Sequence, residues 1–150
     1  MRKKLFVLLL ATLLLLTVFS ACGPKEPPIS TEIGAIHYKL YDIVSTFSDY
    51  VPDEGNALFL VYFTPDSADD ASSVETNLYD YLVNGGSSQK AANVSLHGVA
   101  FDCTFVGYQF NQKESVKYYV AAFEIPSNVE EVTQAVMTLP EGQTIHMKQS

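Results

Sequence analysis

The chain has 150 residues, 47% of them hydrophobic, with 9 basic against 17 acidic side chains and a net charge of −8. That length suits one domain with its own core and is short for two. The acidic balance repels phosphate backbones and anionic lipid head groups, which excludes a nucleic-acid binder and a protein held to membranes by charge.

Arg2, Lys3 and Lys4 precede a nearly unbroken apolar run from Leu5 to Phe19. As a helix this run would rise only about 22 Å, short of the roughly 30 Å apolar core of a bilayer, so it reads as an export signal and not as a permanent span. The segment Phe19-Ser20-Ala21-Cys22 resembles a bacterial lipobox, with Phe19 where that pattern prefers leucine. The resemblance implies cleavage after residue 21 and a diacylglycerol on the Cys22 thiol, and hence a chain held to the cell membrane with the domain facing the exterior. Loss of Arg2, Lys3 and Lys4 leaves 6 basic against 17 acidic side chains, a mature net charge of −11. Charge cannot then supply the attachment, whereas two acyl chains hold a protein stably. Cys103, the other of the two cysteines, is left without an intramolecular partner.

Residues 22–32 contain Pro24, Pro27 and Pro28 among polar neighbours and read as a tether. Residues 33–150 then form one domain in which β signals dominate. His37 to Phe47 mixes aromatic and β-branched residues with polar ones. Val51 to Asn56 is a turn-rich break. Ala57 to Thr64 is apolar on both parities, as in a strand covered on both faces, and Pro65 stops it. Ser72 to Val83 reads two ways. Val74, Leu78, Tyr81 and Leu82 have helical spacing and Ser72 and Glu75 have capping-box spacing, but Thr76, Asn77, Tyr79 and Asp80 are middling or poor helix formers. Residue type favours a strand from Asn77 to Val83, turned at Asn84-Gly85-Gly86.

Val99, Phe101, Cys103 and Phe105 alternate, which predicts one buried face carrying the lone thiol. Lys117 to Ile125 repeats the two-sided apolar pattern and ends at Pro126. Val132 to Leu139 is divided between helix and strand, with its β-branched residues favouring a strand. A last strand spans Thr144 to Lys148. About seven short antiparallel strands with little helix predict an all-β sandwich.

Three stretches carry a further resemblance: Leu58 to Thr64 before a polar turn, Asn77 to Val83 before a glycine turn, and Lys113 to Lys117 leading into Phe123-Glu124-Ile125-Pro126. Together they resemble surface lipoproteins, mostly of Gram-positive bacteria, that carry an immunoglobulin-like "immunoprotective extracellular" domain of unknown function. Here Asn111-Gln112-Lys113 stands where that family has a Pro-Gly turn. The resemblance implies an immunoglobulin-like β-sandwich and a place outside the cell; it implies no ligand, activity or catalytic residue.

Asp66, Asp69 and Asp70, near Glu75, are the densest acidic cluster and weak candidates for a metal ion. They lack the glycine and alternate spacing of a calcium loop, so a solvated loop is the simpler reading. His37, His97 and His146 are scattered, and no zinc, phosphate-loop or nucleophile-elbow spacing occurs. Nine tyrosines without a tryptophan point to contact residues, since tyrosine offers large area at small entropic cost. Tyr79 and Tyr81, on one face of the expected strand, are the candidate partner-binding pair. The leading expectation is a non-catalytic, lipid-anchored binding or spacer module, without cofactor or nucleic acid, whose partner is a surface protein or cell-wall component. The alternative is an accessory or sensor lipoprotein recognising a small ligand or metal ion; a hydrolase with a site assembled from distant residues is a third class.

Overall fold

The computed structural model describes residues 28–65, 71–111, 116–129, 132 and 134–147. The segment expected to act as an export signal, Cys22 and the cluster Asp66, Asp69 and Asp70 lie outside the described residues. Among these described residues there are eight strands: β1 (Ile29–Thr31), β2 (Gly34–Val44), β3 (Asn56–Pro65), β4 (Asn93–Leu96), β5 (Val99–Asn111), β6 (Val116–Pro126), β7 (Ala135–Thr138) and β8 (Thr144–Met147). One helix, α1 (Ala71–Leu82), follows β3, and a single 3-10 turn (Gly86–Ser88) follows it. The all-β expectation holds. The strands pair antiparallel in one continuous order, β1-β2-β3-β6-β5-β4-β7-β8, which curls into an open half-barrel.

The curl follows from two register shifts, between Tyr38 and Tyr41 in β2 and between Cys103 and Phe105 in β5. An extra residue on one strand bends it and sharpens its twist. The shift in β5 also overturns the expectation that Val99, Phe101, Cys103 and Phe105 share one buried face. Cys103 is buried among inner residues, Phe105 packs on the outer cluster with Leu60 and Ala122, and Val99 is 55% exposed. Burial pushes the Cys103 thiol up to about 12, which leaves it a small hydrophobe without nucleophilic character.

The central strands β3 and β6 are covered on both faces, as their two-sided apolar sequences predict. Phe59, Val61 and Phe63 with Tyr119, Ala121, Phe123 and Ile125 face the concave core, and Leu58, Leu60, Val120 and Ala122 face outward. The outer cluster is roofed by Phe47 and Tyr50 from the loop after β2, with Tyr50 stacked on Phe105 at 4.8 Å. Glu124 fastens that loop. Its carboxylate accepts hydrogen bonds from the Tyr50 hydroxyl (2.5 Å), the Asp53 amide (3.2 Å) and the Asn56 side chain (3.0 Å). The Phe-Glu-Ile-Pro run thus has a physical division of labour, with Phe123 and Ile125 inward, Glu124 outward on the loop, and Pro126 closing the ladder.

The Tyr50 bond, helped by the other two and opposed by burial, lowers the Glu124 carboxyl below its ordinary value. A depressed carboxyl adds stability that is complete above the unfolded value, about 4.3, and is lost as pH falls through the folded one. Glu124→Gln is therefore expected to flatten the fall in unfolding free energy between about pH 6 and pH 3, read from urea denaturation at each pH.

Two expected boundaries move. Residues 29–31 belong to the sheet and not to the tether, because Ile29 is buried in the core and pairs with Ile36. Glu32, in the turn that follows, accepts hydrogen bonds from the Ser87 amide (3.1 Å) and hydroxyl (2.6 Å). The strand expected over Asn77–Val83 is instead the end of α1. As a strand it would set Leu78 and Leu82 beside Asp80 on one face and Tyr81 and Val83 on the other. As a helix it brings Val74, Leu78, Tyr81 and Leu82 onto one stripe, all at most 5% exposed. Burying four such side chains contributes roughly 6–12 kcal/mol. The propensity deficit of the poor helix formers is a few tenths of a kcal/mol per residue, about 3 kcal/mol over the segment, and it loses.

Candidate functional site

The helix separates the two candidate tyrosines. Two residues along an α-helix are about 200° apart, so Tyr79 and Tyr81 point to opposite sides. Tyr79 is 40% exposed, whereas Tyr81 is 1% exposed and donates its hydroxyl proton to Glu141 at 2.5 Å. Burial first, and then that bond, raise the Tyr81 hydroxyl well above the ordinary tyrosine value. Tyr81 is a core residue, and the expectation that it contacts a partner together with Tyr79 is corrected.

Tyr79 instead belongs to a second stripe of α1. Ser72, Glu75, Thr76 and Tyr79 are spaced i, i+3, i+4 and i+7, and they face Val106 of β5 across an open groove of about 350 Å³. The Thr76 hydroxyl donates to the Ser72 carbonyl at 3.0 Å, which turns that end of the stripe back onto the helix. Tyr108, two residues beyond Val106 on the same strand and 51% exposed, extends the apolar border.

Tyr108 is the exposed end of an aromatic row that crosses four strands. It pairs with Tyr119 of β6, Tyr119 with Phe63 of β3, and Phe63 with Tyr38 of β2. Directly opposed residues in neighbouring strands hold their Cβ atoms about 5 Å apart, so the row is rigid. Phe63 and Tyr119 are buried in it, Tyr38 at its β2 end is half-buried, and Tyr108 at its β5 end is exposed. The Tyr108 position was invisible in the sequence because the shift at Cys103 to Phe105 sets the face of every later residue in β5.

His37 lies in β2, His97 in the turn before β5 and His146 in β8, and among the described residues no three His, Cys, Asp or Glu side chains come together as metal ligands. No helix among the described residues is long and apolar enough to cross a membrane. No family model, curated protein or solved structure matches this chain.

Proposed function

We propose that the chain is a lipid-anchored extracellular module that binds a surface protein or cell-wall component without catalysis, through the face carrying Tyr79 and Tyr108. The observation that supports it most is the groove between α1, which carries the exposed Tyr79, and β5, which carries the exposed Tyr108, on a backing of buried aromatics. Tyrosines of this kind are favoured contact residues, large in area and low in entropic cost. The immunoglobulin-like arrangement is part of the proposal in a specific sense: β1-β2-β3-β6 and β4-β7-β8 would correspond to its two halves, joined through β5, whose first four residues pair with β4 and whose later residues pair with β6. The groove also supports the alternative of a small polar ligand, since Glu75 sets a carboxylate along one wall.

Tyr79→Ser combined with Tyr108→Ser is expected to weaken retention on cell-wall fractions at least about tenfold with little loss of thermal stability, because neither side chain belongs to the buried core. Undiminished retention would overturn the reading. The anchor has its own test. Cys22→Ser is expected to abolish incorporation of labelled palmitate and leave an unprocessed precursor, since the buried Cys103 offers no substitute. Because the sheet begins at Ile29, the reach from Cys22 to the domain is at most about 24 Å.

A further inference from the structure

We infer that the occupant of this face is an extended basic peptide segment, laid along the outer edge of β5 with one arginine side chain seated between Glu75 and Tyr79. The inference rests on the proposed contact role of the Tyr79–Tyr108 face and adds to it the chemistry of the partner.

Two independent features lead to it. The first is a strand edge that no described strand pairs, beside the helix α1 that packs against β5. Of β5, which is 13 residues long, β4 pairs only with Val99 to Asp102, and the Cys103 amide donates to the Ala92 carbonyl at 2.7 Å. From Thr104 to Asn111 the strand has β6 on one side and, among the described residues, no strand on the other. Such an edge is a template for an added strand, in which main-chain hydrogen bonds supply affinity and a side-chain pocket supplies selection. The second is the pocket beside that edge. Glu75 and Tyr79 are one helical turn apart on the groove wall, so a carboxylate and a ring face the same space. A guanidinium can give two parallel hydrogen bonds to the carboxylate and lie flat on the ring, which an ammonium cannot do at once. The mature charge of −11 favours approach of a basic segment and opposes an acidic one.

The test uses the full lipidated chain in nanodiscs with isotope-labelled tyrosine. The probes are acetyl-Val-Thr-Arg-Thr-Val-amide and the same peptide with citrulline, the uncharged isostere, in place of arginine. The arginine peptide is expected to shift the Tyr79 and Tyr108 ring signals and to bind at least about tenfold more tightly than the citrulline form. Glu75→Gln should erase that preference. Glu54→Gln, in the exposed turn before β3, should keep it, which separates a seated arginine from general attraction to an acidic protein. Equal binding of the two peptides, no binding of either, or a preference that survives Glu75→Gln would overturn the inference. Loss of cell-wall retention in the Tyr79→Ser, Tyr108→Ser variant would still stand in those cases and preserve the wider reading. If that variant is retained like the parent, the contact face itself is wrong and the inference falls with it.

Discussion

Tyr81→Ser is expected to destabilise the domain by about 3–5 kcal/mol, while Tyr79→Ser, two residues away, changes stability by less than about 0.5 kcal/mol. The asymmetry comes entirely from the helix. Tyr81 lies at 1% exposure in the main core, and its removal leaves a cavity and deprives Glu141 of its donor. Against a typical total of about 5–15 kcal/mol, a loss of that size removes a large part of the stability. Tyr81→Phe keeps the ring and removes only the hydroxyl, so a loss of about 1 kcal/mol is expected. Urea midpoints of the three variants check this. If Tyr79→Ser and Tyr81→Ser destabilise equally, the segment is a strand with both rings on one face.

Gly85→Ala is expected to cost about 3 kcal/mol or more, against about 1 kcal/mol for Gly98→Ala. Both glycines have positive φ, +85° and +82°, so both substitutions carry the same backbone strain. They differ in surroundings. A Cβ on Gly85 would stand 2.2 Å from the Lys90 nitrogen and 2.5 Å from the Lys90 carbonyl carbon, while one on Gly98 meets nothing within 4 Å. The Gly85 clash is with backbone, which cannot rotate aside. The chain there reverses tightly so that the Ala92 amide can donate to the Leu82 carbonyl at 2.8 Å, satisfying one of the carbonyls that the end of α1 leaves open. Thermal unfolding of the two variants side by side measures the difference, and equal shifts would mean that the reversal after α1 is looser than described.

The parts of the fold legible in the sequence are those where local pattern and tertiary burial agree. β3 and β6 are apolar on both parities and end at Pro65 and Pro126, and both became central strands. The helix was written in the spacing of Val74, Leu78, Tyr81 and Leu82, but residue preference pointed the other way, and a stripe of buried side chains outweighs preference. β4 carries a usable local signal. Val94 and Leu96 alternate with polar neighbours before His97-Gly98, and both turn residues have positive φ, as a two-residue hairpin turn requires. The site was half legible. Tyr79 could be named from composition and position, but Tyr81 was paired with it through the wrong periodicity. Tyr108 and the Tyr38-Phe63-Tyr119-Tyr108 row depend on register between residues up to 56 positions apart, which no local window contains.

On the proposed reading Tyr79 and Tyr108 form the contact face, whereas Phe59, Phe63, Tyr81 and Phe123 belong to the core. Tyrosine nitration of the lipidated protein, with and without its cell-wall fraction and mapped by mass spectrometry, tests it most directly. Tyr79 and Tyr108 are expected to be nitrated in the free protein and protected when the wall fraction is present, with Tyr81 unreactive in both. Equal modification of Tyr79 and Tyr108 in the two conditions, or rapid modification of Tyr81 in the folded protein, would contradict the account.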